Sequence, residues 1–261
     1  MSHILHHVAS PKIGDTNAFK HLRRYATHSV MTRLPRAVMP GVPHHVTQRG
    51  NRRQAVFFGD DDYRLYIWLV AECCAAANVS VWAWCLMPNH VHLVMAPATS
   101  DGLRASLARA HRRYTLAVNR RQHWSGYLWQ GRFRSTPMDE PHALMALRYI
   151  EQNPVRARLC DRPEDWPWSS ARTHLDMPSA TGIGDPLTDL AATRGLVGDW
   201  AAHLADTVPD SAADALRQHT RTGRPFGSHT FTSQLEHALA RRLTPAKRGR
   251  PKRQRADTEK G

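Results

Sequence analysis

The sequence predicts an α+β fold: an antiparallel sheet with helices packed on one face, followed by a mostly helical C-terminal extension and a basic tail. Three observations lead there. Stretches of alternating hydrophobicity are interleaved with stretches of helical period. Their order along the chain is β-α-β-β-α-β-α. The chain has 261 residues, 41% of them hydrophobic, which suffices for one sizeable core.

Residues 1–30 mix His, Ser, Lys and Arg without periodicity and read as a disordered extension, with Met31 as the more natural start. "HHVTQRG" (44–50) reads as a strand stopped by Gly50. "DDDYRLYIWLVAECCAAA" (60–77) reads as a helix, its first turn acidic as the helix dipole favours. "VSVWAWCLM" and "HVHLVMAP" read as two strands joined by a tight turn at Pro88-Asn89. Residues 100–122 read as a second helix, 126–135 as an extended segment and 139–153 as a third helix. This order resembles the ferredoxin-like split βαβ pattern. The domain is placed at residues 31–176. The run "DMPSATGIGDPLTD" then reads as a linker, residues 177–240 as a helical region, and 241–261 as a disordered basic tail with nine Lys or Arg against two acids.

Lys and Arg outnumber Asp and Glu by 36 to 22, a net charge of +14. Such a balance favours a polyanionic partner, nucleic acid first and a membrane surface second. No apolar run reaches transmembrane length, and the first 30 residues lack a signal-peptide core. Cys73, Cys74, Cys85 and Cys160 form neither a disulfide framework nor a zinc-knuckle spacing, so reduced thiols and a cytoplasmic protein are expected.

His90 and His92 lie two apart on a strand, so both imidazoles face the same side while Val91 points the other way. Two neutral imidazoles aimed at one point make half of a metal site. A bare H-x-H more often means two hydrogen-bonded, partly buried histidines, so further ligands are needed. In "LRYIEQNPVRARL", Tyr149 and Asn153 are four apart and share a helix face. Pro154 is expected to end the helix and free Asn153 to turn towards a partner. Tyr149 lies about 200° round from Leu147 and so off the Ala143, Leu147, Ile150 stripe. Tyr114, in line with Leu103, Leu107 and Ala110, reads as core. Tyr127, alternating with Trp129 and Phe133, reads as an aromatic wall.

"MPNHVHLV", "GYLWQGRFRS", "RYIEQNPVRARL" and "WPWSSARTH", in this order over residues 40–175, resemble the single-tyrosine HUH transposase superfamily, and within it the REP-associated tyrosine transposases. The resemblance implies His90, His92 and Asn153 as metal ligands, with Asn where insertion-sequence relatives often carry Gln, and Tyr149 as nucleophile. It implies Mg²⁺ or Mn²⁺ as cofactor, a 5′-phosphotyrosine intermediate, single-stranded hairpin DNA as substrate, and a nucleoid-associated monomer. A phosphodiester is a poor electrophile, and a divalent cation on its oxygen withdraws charge. Basic groups interleaved with aromatics suit single-stranded DNA, which singles out Gln130, Arg132 and Arg134 beside Trp129 and Phe133. Arg49, Arg112 and Arg113 are further contact candidates, and Trp166 and Trp168 read as packing. Arg250 in "KRGRPKRQR" would suit a narrow minor groove, unless the tail is merely a basic one without sequence preference. Two rivals share these features: a non-catalytic DNA-binding regulator, and a metal-dependent hydrolase that uses H-x-H without a covalent adduct.

Overall fold

The computed structural model describes residues 35–193 and 195–245. The N-terminal extension, most of the basic tail and Arg250 lie outside the described residues. Within them the chain forms β1 (His44–Arg49), α1 (Asp60–Ala76), β2 (Val79–Met87), β3 (His90–Pro97), α2 (Gly102–Gln122), β4 (Arg134–Pro137) and α3 (Glu140–Glu151). Six short or medium helices follow: α4 (Asn153–Arg156), α5 (Ala171–His174), α6 (Leu190–Thr193), α7 (Trp200–Ala205), α8 (Asp210–Thr222) and α9 (His229–Ala238).

The four strands make one sheet in the order β2-β3-β1-β4, every neighbouring pair antiparallel. The α+β class and the order of elements expected from the sequence are therefore present. The placement of the helices differs from the expectation of a single covered face. Val46, Val91, Leu93 and Met95 point into a core built with Tyr66 and Val70 of α1 and Leu107 and Tyr114 of α2. On the opposite face, Ala83, Cys85 and Val94 are covered by Ala143, Ala146, Leu147 and Ile150 of α3. The reason is visible in β2 and β3, whose near-continuous apolar runs need burial on both sides. α1 and α2 fill one side, so the apolar stripe of α3 takes the other.

Two local expectations are also corrected. The extended segment 126–135 is mostly loop, and only Arg134–Pro137 pairs as a strand. Gly126 and Gly131 adopt φ of 92° and 65°, and these turns break the alternation. Trp129 and Phe133 are buried, but Tyr127 is 87% exposed. Pro154 does not stop the helical path. α3 pauses at Gln152 and the chain resumes as α4 with Pro154 in its first turn, where a missing N–H leaves no bond unmade.

Residues 177–240 are helical as expected, but α8 is continuous with the main core. Its Ala213 and Leu216 are fully buried beside Met138 and Tyr149. The tail also begins later than Arg241. Leu243 is buried with Ala37 and Leu235, and the Glu236 carboxylate accepts from the backbone N–H groups of Leu243 (2.6 Å) and Thr244 (2.8 Å). Trp168 stacks on Tyr63 at 4.6 Å, and the Trp166 indole N–H donates to the Leu86 carbonyl, so both tryptophans are packing residues.

Candidate metal and nucleophile site

His90 and His92 open β3 on the face covered by α3. In the β1 register, Arg49 lies opposite His90 and Thr47 opposite His92. The two rings sit 4.9 Å apart, centroid to centroid. His92 is buried and His90 partly so. The Asn89 side-chain oxygen accepts from His90 Nδ1 at 2.6 Å. His92 Nδ1 lies 3.0 Å from His45 Nε2, and His45 Nδ1 lies 2.8 Å from Thr220 Oγ1. Both Nε2 atoms are left without a hydrogen-bond partner among the described residues. Burial, and next the Arg49 guanidinium, push His90 down to about 3. Burial first, then neighbouring His90, His45, Arg49 and Arg217, holds His92 well below the ordinary histidine range. Both imidazoles are thus neutral at pH 7, the state in which a ring nitrogen can bind a cation.

Tyr149, on α3, points at this pair: its ring lies 6.0 Å from that of His92 and 6.4 Å from that of His45. The sequence placed it off the core stripe, but the structure buries it to 4% exposure. The covering element is α8, which the helical period of α3 could not anticipate. Arg217 of α8 donates Nε–H to the Tyr149 hydroxyl at 3.2 Å and stands 5.6 Å from the ring. Tyr114 is a core residue, as its stripe suggested. It is fully buried and donates its hydroxyl proton to the Val56 carbonyl at 2.6 Å.

Asn153 begins α4, one turn beyond Tyr149. It is buried, and its Nδ2 has no partner among the described residues. Two neutral imidazole nitrogens plus the carboxamide oxygen of Asn153 would fit Mn²⁺ or Mg²⁺ with coordination positions to spare. No group of three or more His, Cys, Asp or Glu that could hold a metal exists among the described residues, so any site here depends on that amide.

The polar contact candidates divide between two surfaces. Arg49 and Arg134 stand on the histidine face. Arg134 lies opposite Thr47 in the register and donates to the Arg221 carbonyl of α8. Arg112 and Arg132 line a cleft of about 670 Å³ with exposed Tyr127 and Leu116, against α2. Gln130 is exposed, its backbone N–H bonded to the Arg49 carbonyl. Arg113 is committed elsewhere: it pairs with Glu72 at 2.6 Å and covers the Trp68 ring at 5.3 Å.

Sequence reasoning passed over His45, Arg217 and Thr220. His45 carried a signal, since His45, Thr47 and Arg49 alternate onto one face of β1. Arg217 and Thr220 carried none that distinguishes them from an ordinary helix surface.

Residues 40–153 match the protein family described as Transposase IS200 like. A Haemophilus influenzae protein named as a REP-associated tyrosine transposase is 29% identical over 99 residues, 34% of this chain. The match spans 56% of that relative, a little over half its length. Among solved structures, a REP-associated tyrosine transposase bound to a REP hairpin is 21% identical with a TM-score of 0.49, over 62% of this chain and 96% of that one. A transposase structure from Deinococcus radiodurans R1 is 20% identical with a TM-score of 0.33, over 46% of this chain and 97% of that one.

Proposed function

From the match of residues 40–153 to the family described as Transposase IS200 like, we propose that the protein nicks and rejoins single-stranded, hairpin-forming DNA of the REP type through a 5′-phosphotyrosine on Tyr149. The observation that carries this reading is the placement of the Tyr149 ring 6.0 Å from His92, with its hydroxyl held by Arg217.

Each residue has a role in that reaction. The Tyr149 oxygen forms a bond to phosphorus, and the bond from phosphorus to the 3′ oxygen breaks. The 3′ end leaves as a hydroxyl, taking up a proton, while the phenol gives one up. Tyrosine in water titrates near pH 10, so charge on the attacking oxygen needs support, and the Arg217 guanidinium donates to that oxygen. The link is a phosphodiester like the one it replaces, so another 3′-hydroxyl can reverse the step without an energy source. That suits strand transfer better than degradation. His90, His92 and Asn153 would hold Mg²⁺ or Mn²⁺, and the cation, when bound, withdraws charge from the phosphate. Arg49 and Arg134 offer positive charge to the backbone entering this face. The protein acts in the cytoplasm with the chromosome, as a monomer. No helix among the described residues is long and apolar enough to cross a membrane.

The test is incubation with Mn²⁺ and a hairpin carrying a single-stranded flank, followed by a denaturing gel. A covalent protein–DNA band that disappears in Tyr149→Phe supports the reading. Hairpin binding without any adduct favours the regulator, and turnover without an adduct favours the hydrolase.

A further inference from the structure

We propose that helix α8 sets the tautomer of a candidate metal ligand: Thr220, acting through His45, holds His92 with its Nε2 lone pair open towards the cation. This deepens the metal reading above and rests on it.

The argument is a count of protons. A threonine hydroxyl has one proton to give and lone pairs to accept with. Thr220 Oγ1 lies 2.8 Å from the Leu216 carbonyl, which can only accept, so the proton is used there. The same oxygen lies 2.8 Å from His45 Nδ1 and must accept, which places the His45 proton on Nδ1. A neutral imidazole carries one N–H, so His45 Nε2 is an acceptor. It faces His92 Nδ1 at 3.0 Å, and His92 Nδ1 must therefore donate. The only nitrogen left with a lone pair is His92 Nε2. All three side chains are buried, so water does not compete for these bonds.

His90 reaches the same tautomer by a separate device. The Asn89 amide donates Nδ2 to the Arg53 carbonyl at 3.0 Å, which fixes its oxygen towards His90 Nδ1. One ligand is thus oriented by the residue beside it. The other is oriented by a residue 128 positions further along the chain. Partners of this kind hold a ligand ring in place, and losing them costs about ten- to a hundredfold in metal affinity.

The experiment uses the full chain, labelled with ¹⁵N-histidine and free of metal, with His92 assigned from the spectrum of His92→Gln. The expected spectrum shows His92 protonated on Nδ1 and bare on Nε2. Mn²⁺ affinity is then measured by calorimetry. Thr220→Val removes only the hydroxyl and is expected to release the tautomer and weaken Mn²⁺ about ten- to a hundredfold. Thr220→Ser restores the hydroxyl and is expected to retain wild-type affinity. A wild-type His92 protonated on Nε2, or a Thr220→Val protein with unchanged tautomer and affinity, overturns the proposal. Should Thr220→Val fail to fold, the wild-type spectrum and Thr220→Ser still decide. A wild-type protein with the expected tautomer but no Mn²⁺ binding upholds the hydrogen-bond chain and overturns the metal reading.

Discussion

Tyr149 and Tyr114 are both buried tyrosines on helices, and what separates them is the partner of each hydroxyl. Tyr114 gives its proton to a backbone carbonyl, Val56, and has no further bond to offer. Tyr149 receives one from a guanidinium and lies against the histidine pair. Tyr114→Phe should therefore lower stability by about 1 kcal/mol and leave adduct formation intact, whereas Tyr149→Phe should abolish the adduct and spare folding. Arg217→Ala is expected to slow adduct formation by about ten- to a hundredfold, since a hydrogen bond from a charged donor contributes about 1.5–3 kcal/mol. Single-turnover rates on a hairpin substrate check this, and an unchanged rate would remove Arg217 from the mechanism. At this scale the sequence was legible where residues signal through their own spacing. His90 and His92 share a strand face, and Tyr149 on α3 stands four residues before Asn153, which begins α4. His45, Arg217 and Thr220 come from other elements, and no local period announces them.

Helices and strands were legible wherever one hydrophobic period ran long enough, as in α1, α2 and α3. β4 was misplaced because the residues of "GYLWQGRFRS" alternate in type while Gly126 and Gly131 turn the backbone. The role of α8 was hidden because its sequence shows an amphipathic helix and not the surface it covers. Leu216 is fully buried against the α3 face of the sheet, so Leu216→Ala should cost roughly 2–5 kcal/mol in urea unfolding. A chain ending at Pro209 lacks α8 and uncovers Tyr149, and its melting transition should broaden or vanish. A chain ending at Pro245 keeps Leu243 on Ala37 and Leu235. Its melting temperature should match the full chain, and its DNA affinity should depend less steeply on salt, by roughly 0.7 in log–log slope for each phosphate of a single strand that the tail would have neutralised.

For the whole molecule, the fold class followed from element order, while coverage of both sheet faces followed from packing, which sequence order does not specify. One property belongs to the molecule as a whole, its response to acid. His44 is fully buried, accepts from the Met39 N–H and donates to the Val42 carbonyl, and burial lowers it to about 4. His111 Nε2 lies 2.9 Å from the Tyr66 hydroxyl, and burial lowers it to about 3. Both folded values lie below the unfolded value near 6.5. As pH falls through 6.5 the unfolded chain takes up protons that the folded chain refuses. Stability is therefore complete above about pH 6.5 and is lost towards pH 4, by roughly 2 kcal/mol per histidine at pH 5. Melting temperatures between pH 7.5 and 5 should fall accordingly. His111→Gln, which cannot take up the proton, should lose less over the same interval.

The closing of α8 over Tyr149 also carries a timetable. Translation adds about 5–20 residues per second, so the ribosome needs roughly 3–13 s to travel from Asn153 to Thr220. Throughout that interval the histidines, the tyrosine and the amide already exist, but the helix that orients His92 and holds the phenolic oxygen has not been made. On the proposed reading, a nascent chain beside single-stranded nucleic acid thereby carries an incomplete site. Chains stalled on the ribosome before Asp210 should form no adduct with a hairpin substrate, and chains released after Pro245 should form it at the full rate.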